Sequence, residues 1–390
     1  MKPPVLVVAA QKRLAGLLLQ MALSCFCLPL PLVGHAQPAA PPASATSATL
    51  TLTEMQLAVA NASRRATRWN GPPSGPPAQP GATVAMVCED LHNGGILGVA
   101  QGIDEAAKVI GWKVKIHDAG GNEAGRSRAL AAALALKPDG VILVGMDAQD
   151  MAAQLQPFAQ RGVPMVGWHV APLAGAMAHG PVAMNVSTDP LEVARITAMA
   201  AVVQSKGRAG VVVFTDSNFG IAMAKARAMT DIIRACKECT LLEVRDVAIS
   251  KSAEQMPAVM QELLARYGKR WTHALAINDI YFDYAVTELT KAGYPSNALS
   301  LLSAGDGSAP AFLRIQAGTF QTGTVAEPVN LHGWQLVDEL NRLLAHQSVT
   351  GHIEPVHLVT PNNIAYDDGA RMQYDPDNGY RDRYRNIWKR

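Results

Sequence analysis

Apolar and polar positions alternate in two rhythms along most of this chain. Short runs of β-branched and aliphatic residues at 83–88, 113–118, 141–144, 164–168 and 183–186 read as strands. Between them, 97–110, 125–136 and 148–160 repeat apolar residues every three or four positions and read as helices. A second series places strands at 210–214, 241–246, 274–277 and 299–303, with helices at 222–235, 253–267 and 281–291. Strand and helix in strict alternation build parallel sheets from βα units, so two series predict an α/β protein of two doubly wound, Rossmann-like lobes.

The pattern differs before residue 82. Residues 1–36 hold no acid, carry Lys2, Lys12 and Arg13 ahead of an apolar run broken by Pro29 and Pro31, and end on the small-residue stretch at Ala36. They read as a secretory signal peptide cut before Gln37, with lipidation at Cys25 as the rival start. Residues 37–81 read as a Pro/Ala-rich linker. Within it, Leu52, Met55, Val59 and Ala62 keep a helical rhythm that predicts a short amphipathic helix, and 70–81, with five prolines and three glycines, ends it. The folded body is expected to begin near Ala82.

Composition narrows the function. The 390 residues are 49% hydrophobic and 17% charged, and 34 Lys and Arg face 32 Asp and Glu. That near balance gives a polyanion nothing to feel, so nucleic acid is a poor partner. There is no P-loop, and the Gly-rich stretch 93–98 misses the dinucleotide spacing. The histidines form no HExxH, and 305–308 is not a nucleophile elbow. No catalytic residue, cofactor or metal is expected. With Cys25 and Cys27 removed by export, Cys236 and Cys239 are a close pair in an oxidising compartment and read as a local disulfide, with Cys88 buried in a strand.

Several segments, in their order and spacing, resemble one family. They are Thr83-Val-Ala-Met-Val-Cys-Glu-Asp-Leu-His-Asn93, Lys137-Pro-Asp-Gly-Val-Ile-Leu-Val144, Gly162-Val-Pro-Met-Val-Gly-Trp-His169, Ala276-Ile-Asn-Asp279, Ser303-Ala-Gly-Asp-Gly307 and Gly323-Thr-Val-Ala-Glu-Pro328. Residues 82–366 resemble the ribose-binding-like periplasmic solute-binding proteins of sugar ABC importers. The resemblance implies a type I periplasmic binding protein fold, with one lobe of 82–187 and 328–356, a second of 188–327 and 357–366, and a C-terminal extension of 367–390. Three hinge crossovers are implied near 186–189, 327–328 and 355–358. The extension, with Tyr374, Tyr380, Tyr384 and Trp388, reads equally as a surface strap or as a disordered tail.

Carried over by position, the resemblance implies ligand contacts from Glu89, Asn93, His169, Lys225, Asn278, Asp306 and Glu327. Asn278 and Asp306 also suit turns that cap a following helix. Two positions that hold stacking aromatic rings in ribose-type members are Gly95 and Ile96 here, and His169-Val170 stands where an Asp-Arg pair is usual. Trp168 and Phe219 are the candidate replacement surfaces, and pentose recognition as such is in doubt. The implied function is a monomeric periplasmic protein, not an enzyme, that binds a small polyhydroxylated solute and hands it to an inner-membrane ABC permease. The alternative is a receptor that presents the solute to a sensor kinase or chemoreceptor.

Overall fold

The structure is a computed structural model that describes residues 50–367 and 369–389. The expected signal peptide and the first part of the linker lie outside the described residues. The first sheet contains β1 (Thr83–Cys88), β2 (Lys113–Asp118), β3 (Gly140–Val144), β4 (Met165–Trp168), β5 (Gly175–Ala176) and β6 (Met184–Val186), in the order β2-β1-β3-β4-β6-β5. The second contains β7 (Gly210–Thr215), β8 (Thr240–Asp246), β9 (His273–Ala276), β10 (Ser300–Ser303), β11 (Gln321–Ala326) and β12 (His357–Val359), in the order β12-β11-β10-β9-β7-β8. Only β5 and β12 run antiparallel to their neighbours. Central strands such as β3 and β7 are buried throughout, as a sheet covered by helices on both faces requires.

The covering helices are α1 (Leu52–Ala62), α2 (Gly94–Ile110), α3 (Glu123–Ala135), α4 (Ala152–Gln160), α5 (Pro190–Gln204), α6 (Gly220–Ala235), α7 (Ser252–Tyr267), α8 (Ile280–Lys291), α9 (Ala309–Ala317), α10 (Val329–Leu344) and α11 (Tyr380–Trp388). The two-lobed α/β architecture is the one the alternation predicts, and β1 and β2 fall on the expected residues. The chain passes between the lobes after β6, after β11 and between α10 and β12, because α5 packs on the second sheet while α10 packs on α2 and the first. Gly102 and Gly333 let α2 and α10 meet backbone to backbone: a Cβ on Gly333 would collide with the main chain of Gly102. The sulfurs of Cys236 and Cys239 are bonded across the turn from α6 to β8, and Cys88 is a buried free thiol that burial pushes up to about 12.

The flanking segments depart from the linker reading. In α1 a reciprocal Thr51–Glu54 capping box starts the helix, and Met55 and Ala62 are buried in the core of the second lobe. The Pro-rich stretch 70–81 is docked too. Prolines supply carbonyls but no N–H, and α10 provides matching donors: Asn341 Nδ2 reaches the carbonyls of Pro76 and Pro77 at 3.4 and 3.3 Å, and Arg342 Nη2 that of Ser74 at 2.6 Å. In the C-terminal extension, α11 lays Tyr380, Tyr384 and Trp388 on α10. Trp388 stacks on Trp334 with centroids 5.5 Å apart, and its Nε1 donates to Asp338 Oδ1 at 2.8 Å. Every residue of α10 from Val329 to Arg342 is consequently buried, polar ones included.

Trp388→Ala is expected to cost about 3–5 kcal/mol of stability through the lost contacts and the cavity left beside Trp334. Denaturant unfolding followed by circular dichroism measures it, and a loss below about 1 kcal/mol would mean that α11 is not part of the folded core.

Candidate functional site

A cavity of about 320 Å³ opens between the lobes. Its walls come from loops that follow β1, β3, β4, β7, β9 and β10, the carboxyl ends at which open α/β sheets bind ligands. On the first-lobe side Glu89 follows β1 and is almost fully buried, and its charge is met by Arg126 of α3. Arg126 Nε donates to Glu89 Oε2 at 2.8 Å and Nη2 to Oε1 at 2.6 Å, a two-pronged pairing. Asn93 caps α2 by accepting from the backbone N–H of Gly95 at 2.9 Å and of Ile96 at 3.3 Å. Its amide NH2 remains for the cavity.

His169 leaves β4 with φ of 53°, in the left-handed region, and its ring lies 3.6 Å from that of Trp168 at an interplanar angle of 10°. Together they form a flat wall. Behind them Trp168 Nε1 donates to His332 Nδ1 at 3.1 Å, and burial lowers the His332 imidazole to about 4.

From the second lobe, Phe219 stands just before α6, with the Arg126 guanidinium 5.7 Å from its ring centroid. Lys225, one turn into α6, is buried and donates to the Ala304 carbonyl at 2.8 Å. Asn278 accepts from Ile280 N–H at 3.0 Å and donates from Nδ2 to Asp306 Oδ2 at 2.8 Å, so it both shapes its turn and orients the carboxylate. Burial raises Asp306 to about 6, against the lowering charges of His169 and Lys225 and with a further push from Glu327.

Glu327 has no exposed surface and lies on the passage from β11 to α10. His169 Nε2 donates to its Oε1 at 2.9 Å, while the Thr188 N–H, 3.5 Å away, and His332 Nδ1, 3.4 Å away, face Oε2. Burial pushes this carboxyl up, but the charge and hydrogen bond of His169 outweigh it and hold Glu327 well below the usual carboxylate range. His169, Asp306 and Glu327 offer ligand atoms within 4.8 Å of one another and are the group, among the described residues, that could hold a metal ion. The His169–Glu327 bond and the Lys225 charge near Asp306 already neutralise them.

Eight of the ten residues expected from the sequence line the cavity: Glu89, Asn93, Trp168, His169, Phe219, Lys225, Asn278 and Asp306. Two lie behind the wall. Gly95 packs against the Asp306 carboxylate, which any side chain there would strike, and Glu327 sits beneath His169. The sequence reading missed Arg126 and Asp216. Nothing in the spacing of α3 singles out Arg126, but Asp216 directly follows β7, and the strand-end rule could have found it. Asp216 builds its own loop, accepting from Asn218 N–H at 2.9 Å and Ile249 N–H at 2.7 Å. Arg126 also removes the acidic surplus that Glu89 otherwise suggests.

A family model described as the periplasmic binding protein domain matches residues 84–348. The chain belongs to this family. As a periplasmic binding protein it is similar to an ABC sugar transporter subunit from Rhodobacter sphaeroides 2.4.1 at 19% identity and a TM-score of 0.62, over 72% of this chain and 99% of that one. It is also similar to an ABC transporter solute-binding protein from Agrobacterium vitis bound with alpha-D-tagatopyranose, at 16% identity and a TM-score of 0.66, over 75% of this chain and 99% of that one. A solute-binding protein from Bacillus halodurans C-125 with bound myo-inositol aligns at 13% identity and a TM-score of 0.62, over 73% and 96%. At such identities the likeness carries the fold. A comparison with curated protein sequences finds no match.

The two buried carboxylates of this periplasmic binding protein titrate in opposite senses. Glu327, lowered from 4.5, contributes stability that is present above that value and is lost as the pH falls through its lower folded value. Asp306, raised from 3.8 to about 6, keeps a proton that the unfolded chain has released, so its contribution declines as the pH rises between those values. Thermal unfolding from pH 3 to 8 should therefore show Asp306→Asn gaining on the wild type as pH rises and Glu327→Gln falling behind it. Parallel curves for all three proteins would contradict both assignments.

Proposed function

We propose that this chain is the solute-binding component of a sugar ABC importer, exported to the periplasm, capturing a small sugar or polyol between its lobes for an inner-membrane permease. One observation carries the reading. Both lobes contribute polar groups of mixed character to one cavity of about 320 Å³, a size suited to a single small solute. Asp306 accepts from adjacent hydroxyls, Asn93 donates an amide, and the Glu89–Arg126 pair offers both charge signs while cancelling its own. The Trp168–His169 stack and Phe219 supply flat apolar faces against which a sugar ring packs. Structural relatives solved with tagatopyranose, allitol and myo-inositol support this class of solute.

The Glu89, Asn93 and His169 side belongs to one lobe and the Lys225, Asn278 and Asp306 side to the other. A solute that needs both favours the closed arrangement, with the three crossovers as hinges. The lobes are read as 82–187 with 328–356, and 188–327 with 357–366.

A thermal-shift screen of pentoses, hexoses, polyols, inositols and amino sugars should yield a stabilising ligand. With that ligand, calorimetry should show Asp306→Ala losing roughly 2–4 kcal/mol of binding, about thirtyfold to a thousandfold in affinity, with the fold intact. Asp147→Ala, a residue after β3 that does not line the cavity, should lose under about 1 kcal/mol. The radius of gyration from small-angle scattering should fall on saturation. No hit across the whole screen, or wild-type affinity in folded Asp306→Ala, would overturn this assignment.

A further inference from the structure

The two segments that flank the matched domain lean on each other behind the lobes. Residues 67–75 and α11 leave a groove of about 660 Å³ between them, and both walls lie outside the residues 84–348 that the family model matches. Among the described residues, the charged ones that line the groove are Arg68, Arg383 and Lys389, with no Asp or Glu.

Four basic residues around it are paired. Arg65 meets Asp377, Arg342 meets Asp338, Arg381 meets Glu105 and Asp375, and Arg385 meets Asp382. Arg68, Arg383 and Lys389 have no ion pair or side-chain hydrogen bond among the described residues. The acids of this surface are thus spent on neighbouring arginines, and the three cations left over share one concave space. Uncompensated charge of one sign in a groove concentrates its field and raises the local concentration of counter-ions.

We propose that this groove is a second binding site, distinct from the interlobe cavity, and that it takes a phosphate ester. Two guanidinium forks match the oxygen edges of a phosphate, and the ammonium adds a point charge. A phosphate monoester carries about −1.5 to −2 charges and three acceptor oxygens, enough to engage three cations where one carboxylate would leave cations unmatched. Thr67, Ser74 and Asn386 stand by as neutral hydrogen-bonding groups. Trp69, Pro72 and Ile387 give the wall an apolar part for the body of the ester. The chemistry is shared by free phosphate esters and by phospholipid headgroups.

The test uses the full chain with two probes, sn-glycerol 3-phosphate by calorimetry and phosphatidylglycerol vesicles by co-sedimentation, with phosphatidylcholine vesicles as the neutral control. The wild type should bind at least one anionic probe, more weakly as salt is raised, and the neutral vesicles not at all. Arg383→Glu combined with Lys389→Glu should weaken binding roughly tenfold or more, while Asp306→Ala should leave it unchanged. Glycerol 3-phosphate binding without vesicle binding assigns the site to a free ester, and vesicle binding assigns it to lipid. If the double variant fails to fold, the exposed Arg68→Gln serves in its place, judged by the same loss. Absence of binding to both anionic probes, or binding that survives charge reversal in a folded variant, overturns the proposal. Because the groove variants leave the interlobe cavity alone, failure here leaves the sugar-binding reading standing.

Discussion

Glu327 carries its charge where water does not reach, on the passage from β11 to α10, and the hinge region is arranged around it. An unpaired carboxylate at such a place costs several kcal/mol, so partners must come to it. They come from two directions: His169 from the loop after β4 and the Thr188 N–H from the passage after β6. That requirement sets the backbone at His169, turned into the left-handed region so that its ring both reaches Glu327 and lies on Trp168. The flat wall of the cavity is therefore a consequence of how the hinge is neutralised. Asp306 completes the set from the second lobe and feels His169 and Glu327 at once, which ties the electrostatics of the cavity to those of the hinge.

A second constraint acts on the back of the molecule. The polar residues of α10 include Gln335, Asp338, Asn341 and Arg342, and all are buried. Each is satisfied by a specific partner: the His352 carbonyl for Gln335, Trp388 for Asp338, and the carbonyls of the 70–81 stretch for Asn341 and Arg342. Burying polar groups is tolerated because the bonds are made. The N-terminal segment links the lobes through this contact, since α1 sits in the core of the second lobe while Trp69 packs edge-on against Tyr384 in that of the first.

These particulars mark where sequence reading succeeds and where it stops. Strands β1 and β2 were legible because β-branched runs bounded by turn residues need no tertiary information, and the disulfide turn because its residues are neighbours. Helix α5 escaped the pattern because it is apolar almost all round and so lacks the one-sided stripe that betrays a surface helix; α10 has such a stripe, and what its sequence does not show is that the polar face is buried as well. The 70–81 stretch reads as a linker by composition and is a docked strap by virtue of donors some 260 residues away. In the cavity, strand-end residues such as Glu89, His169 and Asp306 were within reach. Arg126 was not, because its role depends on where α3 lies against β1.

Arg126 changes what the cavity can select. Glu89 is met by a two-pronged guanidinium and Glu327 is bonded to His169, while Asp306 is held by Asn278 near Lys225 and His169; Asp90, Glu123 and Asp216 also line the space. In the proposed reading, a positive charge on the ligand meets Lys225 and Arg126 near the carboxylates. A neutral hydroxyl meets no such opposition: in the proposed reading it would donate to Asp306, accept from the Asn93 amide, and give up only the hydration of an uncharged group. Pairing acids in advance thus favours hydroxyls over amines in the proposed reading, and only the fold shows which carboxylates are paired.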